Sequence, residues 1–368
     1  MCSTERMHGL FLLRSEYGWL DEARKKGEMM KLLALTATLV LLNTCLAVEA
    51  VPLHYKITGI GTLGGHRSMA YGINNLGQVV GSSTAEGDQV THAFLWQNGQ
   101  ITDLGVGEAL AISDDGWIVG SVSPDNVAQY ATIWHDGTMI SLNTISTAYG
   151  VNNIGQVVGI DRISGHPFLW EDGTTVDVIP VGGYAFDIND DGTVVGCTES
   201  PTQAYVWNGG TTTNLPVLGS GNNSMARAVN DSGQVVGYSS VDANRPNDYL
   251  PVLWDNGVIR ILGTGDDHRS ARAINNKAQI VGVGLNTGPW IWQDGVMYLL
   301  SDLVSDASDW SSLGEVNAIN DSGLIAGWGW KDGHSTAFIL TPVPEPSSTL
   351  ALLFGLGALG GLAQRKKR

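Results

Sequence analysis

The stretch Ile73-Asn74-Asn75-Leu76-Gly77-Gln78-Val79-Val80-Gly81 joins two apolar runs through an Asn-rich turn that carries a glycine. The pattern returns at Ile112, Val151, Ile188, Val229, Ile274 and Ile319, at spacings of 39, 39, 37, 41, 45 and 45 residues. Some copies drift: Ser113 replaces the first Asn in the second, and Ala278 replaces the turn glycine in the sixth. A period near 40 residues repeated this often means that one supersecondary unit has been copied along the chain.

Working outward from that stretch, each of the first six copies is followed by a run ending in Trp: Trp96, Trp134, Trp170, Trp207, Trp254 and Trp292. A Gly-containing turn follows each, such as Gln97-Asn98-Gly99, and then a short β-type run such as Ile101-Thr102-Asp103-Leu104. Four short strands per unit is the content of a propeller blade. Both faces of the Trp strand are apolar, as a sheet between two neighbours requires. The seventh copy ends at Ala337–Leu340, and Pro342 stops it before a fourth strand. The unassigned segment 53–60 is placed beside 337–341 to complete that sheet and protect its edges. The prediction is therefore an all-β, seven-bladed β-propeller of four-stranded blades closed by the N-terminal strand. A β-solenoid is the alternative, and it leaves the first strand without a partner.

Composition agrees with a turn-rich β chain: 48 of 368 residues are Gly and 15% are charged. The formal net charge is −16. Between residues 51 and 341, 10 bases face 29 acids, without a basic face for a phosphate backbone. Nucleic acid is excluded as a partner on that ground. Of Cys2, Cys45 and Cys197, two fall in a segment predicted to be removed, so neither a disulfide framework nor a Cys-based metal site is available.

The ends read as addresses. Residues 29–50 place Lys31 before an apolar run, Leu32–Leu42, and small residues near Ala47 and Ala50, the pattern of a secretory signal peptide. Residues 1–28, with charges of both signs, read as a leader from a misassigned start codon. At the other end, Val343-Pro344-Glu345-Pro346 precedes an apolar stretch, 347–364, and the basic tail Arg365-Lys366-Lys367-Arg368. That stretch is of the length of a short membrane-spanning helix, with its basic end cytoplasmic. The order of the three parts in 343–368 resembles the PEP-CTERM sorting signal. The resemblance implies a Gram-negative bacterium producing exopolysaccharide and a transient inner-membrane anchor. It further implies processing by exosortase after signal peptidase, and delivery to the cell surface or extracellular matrix.

The units between residues 51 and 342 resemble the HAF family of extracellular repeats, on His92-Ala93-Phe94, His166-Pro167-Phe168 and Ala337-Phe338. The resemblance implies an exported protein and supplies no catalytic residues. His92 and His166 hold equivalent repeat positions, so a structural role accounts for them. Asp114-Asp115, Asp190-Asp191, Asp231 and Asp321 lie in the turn between the first two strands, where Asn/Asp-x-Gly is a hairpin requirement. No loop has an EF-hand calcium pattern, so calcium is unsupported and no metal or other cofactor is predicted. The strand-ending Trp residues read as core wedges. Gly-x-Ser-x-Gly is absent, one cysteine makes no Cys-His pair, and no catalytic residue is assigned.

The connections after strands two and four vary between copies, whereas the others are uniform. Loops on a rigid scaffold are where binding concentrates. The candidate binding face is built from these loops, with Asp242, Arg245, Tyr249, Asp266, Asp267, Asp302, Asp306, Asp309 and Trp310 as its residues. The functional expectation is a non-catalytic, biofilm-associated surface or matrix protein whose propeller binds exopolysaccharide or another surface component. The alternatives are a secreted carbohydrate-active enzyme, glycosidase or lyase, and a self-assembling coat protein.

Overall fold

A computed structural model describes residues 54–343, apart from 124–127, 246–247, 264–269 and 306. The predicted signal segment, the sorting motif from Pro344 onward and the apolar stretch 347–364 lie outside the described residues. Among the described residues, no helix is long and apolar enough to cross a membrane.

The described chain is all-β and propeller-like. After β1 (His54–Gly59) comes a four-stranded antiparallel sheet of β2 (Gly64–Ile73), β3 (Val79–Ala85), β4 (Thr91–Gln97) and β5 (Gln100–Val106). The next sheet has seven strands: β6 (Glu108–Ile112), β7 (Ile118–Val122), β8 (Tyr130–His135), β9 (Thr138–Val151), β10 (Val157–Asp161), β11 (Pro167–Glu171) and β12 (Thr174–Asp177). Its middle strand β9 serves two sequence units, pairing first with β8 and, from Ser146 onward, with β10. Neither Gly nor Pro interrupts that strand before Gly150, and one unit runs straight into the next.

Three more four-stranded sheets follow. They are β13 (Gly183–Ile188), β14 (Val194–Thr198), β15 (Ala204–Asn208) and β16 (Thr211–Asn214), then β17 (Ser224–Val229), β18 (Val235–Ser240), β19 (Tyr249–Asp255) and β20 (Val258–Ile261). The third is β21 (Ser270–Ile274), β22 (Ile280–Val283), β23 (Pro289–Gln293) and β24 (Val296–Leu299). A one-turn helix, α1 (Leu300–Leu303), leads to β25 (Val304–Ser305), β26 (Trp310–Ile319), β27 (Ile325–Lys331) and β28 (His334–Val343). The last sheet has the order β25-β1-β28-β27-β26.

In that sheet β1 pairs antiparallel with β28 from His54 opposite Val343 to Gly59 opposite Phe338. Two details depart from the sequence reading. Pro342 does not end the strand; it lies opposite Tyr55, beyond the last β27 partner at Leu340, and so owes ladder bonds on one side only. The edge beyond β1 is covered by β25, which pairs with it in parallel.

Two backbone constraints explain the repeat. The hairpin between the third and fourth strands is Asn98-Gly99, Asp136-Gly137, Asp172-Gly173, Gly209-Gly210, Asn256-Gly257 or Asp294-Gly295, and Asp332-Gly333 makes the same turn between β27 and β28, the second and third strands of the last sheet; both central φ values are positive in every case. That is the type I′ turn, whose twist matches the strands it joins. The Gly of each Val-Val-Gly run faces a fully buried residue of the inner strand: Gly81 faces Ala70, Gly196 faces Ala185, Gly327 faces Val316. A Cβ at Gly196 meets the Tyr184 carbonyl oxygen inside van der Waals contact and lies 2.8 Å from the Tyr205 hydroxyl. The core forms as a series of clusters between consecutive sheets, such as Val195, Ala204, Ala226, Val252 and Trp254. The deepest wedges stand two residues before the strand-ending Trp, at Phe94, Phe168, Tyr205 and Trp290. Of the Trp themselves only Trp134 and Trp254 are buried, and each donates its indole N–H to a carbonyl of the preceding unit, Leu104 at 3.1 Å and Pro216 at 2.8 Å.

Ala278 occupies the turn position held by glycine elsewhere and has φ 58°. Ala278→Gly is expected to raise stability by about 1 kcal/mol, because a Cβ is strained in the left-handed region. Gly196→Ala is expected to lower it by roughly 3 kcal/mol through overpacking. Denaturant midpoints of the two variants against the parent check both signs.

Candidate functional site

The inner strands β2, β6, β9, β13, β17, β21 and β26 end in equivalent turns around one cavity of about 170 Å³, lined by the Ile/Val-Asn/Ser-Asn/Asp triplet of each. The first Asn folds its own turn: the Asn74 Oδ1 accepts from the backbone N–H of Leu76 and Gln78. Its amide then reaches the next unit's carbonyl. Asn74 donates to Ser113, Asn152 to Asn189, Asn189 to Asn230, Asn230 to Asn275, Asn275 to Asn320 and Asn320 back to Asn74, at 2.9–3.2 Å. Ser113 is too short to reach onward and leaves the one gap.

The next residue closes a second circuit without a gap. The backbone N–H of Asn75 donates to Asp114 Oδ1, Asp114 to Asn153, Asn153 to Asp190, Asp190 to Asp231, Asp231 to Asn276, Asn276 to Asp321 and Asp321 to Asn75. These aspartates therefore tie unit to unit, whereas the sequence reading had them serving only their own hairpin. Asn amides also bridge neighbouring carboxylates, as Asn276 does to Asp231 at 2.7 Å and to Asp321 at 3.2 Å. Asp190 and Asp231 are the pair of adjacent carboxylates without an amide between them, and their link is the longest of the circuit at 3.3 Å. Among the described residues, no group of three or more His, Cys, Asp or Glu side chains is arranged to hold a metal ion.

Two residues before each Ile or Val, every inner strand carries a β-bulge. The extra residue is Tyr71, Leu110, Tyr149, Phe186, Arg227, Arg272 or Asn317, each half-buried, whereas the residue before it is fully buried. Bulges re-aim side chains. Three of them contact one another from unit to unit: Tyr149 and Phe186 have ring centroids 5.5 Å apart, and the Arg227 guanidinium lies 5.0 Å above Phe186. Arg272 pairs with Glu315 at 3.6 Å, and the Asn317 amide donates to the Ala70 carbonyl at 2.9 Å. Burial and the neighbouring Arg272 hold the Arg227 guanidinium below its usual range. Sequence reasoning passed over this layer. Its signal is the one variable place inside Ala-x-Gly/Ala-Ile/Val-Asn, read as Ala70 to Asn74 and again as Ala226 to Asn230.

The loop residues nominated from sequence are placed in two settings. Asp242, Arg245 and Asp248 form a local cluster, with Arg245 3.8 Å from Asp242 and 3.0 Å from Asp248. Tyr249 packs at a tilt on Tyr238, ring centroids 4.4 Å apart, and accepts from the Asn223 amide at 3.2 Å. Between Asp302 and Trp310, the strand β25 and the first residue of β26 belong to the closing sheet. Leu303 is buried, Asp302 and Asp309 are exposed, and Trp310 packs edge-on to Phe338 with Lys331 5.6 Å from its ring. Asp266, Asp267 and Asp306 lie outside the described residues. Val343, the first residue of the predicted sorting motif, is the last residue of β28.

His92 and His166 each turn Nδ1 to a carboxylate across the strand pair, Asp103 at 2.9 Å and Asp177 at 3.0 Å. The equivalent Gln203 bonds to the Leu215 carbonyl at 2.9 Å, so the position fastens the third strand to the end of the fourth. Cys197 is buried and its thiol is pushed up to about 12 by burial, the reverse of what a nucleophile requires.

Residues 342–368 match the PEP-CTERM protein-sorting motif, which marks an exosortase-processed, secreted and surface-directed protein. No curated protein matches the chain. Among solved structures, the chain is similar to the β-propeller domain of the Trilobed protease from Pyrococcus furiosus, with 16% identity, a TM-score of 0.46, and coverage of 63% of this chain and 83% of that one. It is also similar to YCF48 from Cyanidioschyzon merolae, at 10% identity and TM-score 0.46, covering 78% and 99%. YCF48 bound to D1 peptide is similar at 12% identity and TM-score 0.49, covering 81% and 99%.

Asp187 stands where the other inner strands have Gly or Ala, and burial pushes its carboxyl up to about 7 although it accepts from Ile188 N–H at 2.9 Å and Val229 N–H at 3.0 Å. A folded-state pKa above the unfolded value favours the fold when the group is protonated. Its contribution is present below about pH 4 and is lost as pH rises toward 7. Asp187→Asn is expected to remove that loss and to gain on the order of a few kcal/mol at neutral pH. The check is the difference between the two proteins' unfolding free energies from pH 4 to pH 8, which should widen upward.

Proposed function

We propose that residues 51–342 form a seven-bladed β-propeller of the HAF type that works as a non-catalytic binding platform at the cell surface or in the extracellular matrix. Its ligand is exopolysaccharide, and its setting is a biofilm. Residues 29–50 serve as the secretory signal peptide. The apolar stretch 347–364 holds the chain transiently in the inner membrane until exosortase cuts near Pro344-Glu345-Pro346.

The observation that carries this reading is the sorting motif over 342–368, because it directs the chain to the cell surface, where on this reading exopolymer surrounds it. The repeated turn, the β1–β28 pairing and the circuit of inner-strand hydrogen bonds support a closed and rigid scaffold. The inert thiol and the strand-fastening histidines support binding rather than chemistry.

The full chain, purified in mild detergent and passed over the producing organism's own exopolysaccharide on beads, is expected to be retained saturably. Replacing 241–248 by a short turn is expected to lower that retention, whereas the segment 301–314 is unsuited to the same graft because β25 and β26 belong to the closing sheet. Absence of retention overturns the polysaccharide reading.

A further inference from the structure

Arg227 is a cation without an anion. Its Nε is buried with no hydrogen-bond partner, and among the described residues it has no carboxylate within ion-pair distance. The Arg272 Nε is likewise buried and unpartnered, and that side chain spends its one ion pair on Glu315 at 3.6 Å. Removing a guanidinium from water without a counter-charge is unfavourable, and placing it beside a second one adds to the cost. In a chain of net charge −16, in which carboxylates outnumber bases, the lack of a protein partner among the described residues stands out.

The surroundings define what fits. Phe186 lies under the Arg227 guanidinium and stacks at 5.5 Å on Tyr184 with planes 2° apart, and Tyr149 leans on the same ring. These side chains are half-buried, so part of each remains open to solvent. Flat aromatic faces suit the C–H face of a pyranose, tyrosine hydroxyls suit its hydroxyls, and a guanidinium fork suits a carboxylate. The strong negative charge of the chain repels a densely charged polyanion. An isolated carboxylate among neutral sugars fits better.

We propose that Arg227 and Arg272, with Phe186, Tyr184 and Tyr149, form an inner-strand site for a saccharide that carries a single carboxylate, such as a uronate within an otherwise neutral polymer. The proposal rests on the polysaccharide reading above and names the sugar class and the place. The carboxylate supplies the missing counter-charge of Arg227, and the pyranose covers the aromatic layer.

The test uses the full chain and three soluble probes followed by calorimetry. These are an aldobiouronic acid with one glucuronate linked to one neutral hexose, its carboxyl-reduced counterpart, and the peptide acetyl-Ala-Glu-Ala-amide. The uronate is expected to bind at least tenfold more tightly than either of the others. Arg227→Leu is expected to abolish that preference and, by removing an uncompensated buried charge, to raise the melting temperature of the free protein. Arg227→Lys, which keeps the charge but loses the fork, is expected to weaken uronate binding at least severalfold without unfolding the chain. Equal binding of the reduced sugar, or unchanged binding by both Arg227 variants, overturns the site. Equal binding of the peptide overturns the saccharide assignment in favour of a protein carboxylate. Retention on native exopolysaccharide that Arg227→Leu leaves intact removes this site while sparing the platform reading. Failure of retention with uronate binding intact removes the platform reading and spares the site.

Discussion

The backbone N–H of one turn donating to the side-chain oxygen of the next is the interaction on which the remaining structure depends. Each sheet alone has apolar faces that must be covered by its neighbours, and the circuit from Asn75 to Asp321 and back holds the inner strands at the spacing that lets those faces meet. Alternating amides and carboxylates would let each Asn neutralise two Asp by donation. With seven members strict alternation is impossible, so one pair of like neighbours must occur, and it occurs at Asp190 and Asp231. Nearby, Asp231 adds to the burial that pushes the Asp187 carboxyl upward. The electrostatic strain of an odd ring is thereby gathered on one side of the axis.

Tight packing around the circuit frees one layer for variation. The fully buried inner-strand residue and the glycine opposite it bring two backbones close together, and the bulge that follows leaves one half-buried side chain per unit outside the regular ladder. The bulge geometry is the same whether the residue is Leu110, Tyr149 or Arg227. The scaffold therefore tolerates aromatic, aliphatic and cationic groups at one equivalent, half-buried place in every unit. Specificity is adjustable there without disturbing the turns that hold the ring together.

Much of this was legible from residues alone, because local chemistry dictates it. Asn98-Gly99 and its equivalents specify type I′ hairpins, and the orphan segment before the first repeat pointed to the pairing of β1 with β28. What escaped was tertiary. The variable place inside Ala-x-Gly/Ala-Ile/Val-Asn marks the bulge only once the pairing of the strands is known, so Arg227 and Arg272 were passed over. The aspartates of the inner turns looked like hairpin formers because the turn pattern needs a polar residue there, yet their oxygens are used by the neighbouring unit. Trp310 looked like a loop aromatic, whereas the strand β26 begins with it and its ring covers Phe338.

The pairing of β1 with β28 also bears on the order of events in export. His54 and Val343 face each other across the sheet although they stand at opposite ends of the described chain. Contacts so distant in sequence form last and slowly. A chain threaded outward amino end first presents β1 long before β28 has emerged, and β1 has no strand to join in the interval. Completion of the sheet is thereby coupled to emergence of the residues that open the sorting motif at 342. A truncated product lacks both the closing strand and the address, so one break in translation removes folding and delivery together.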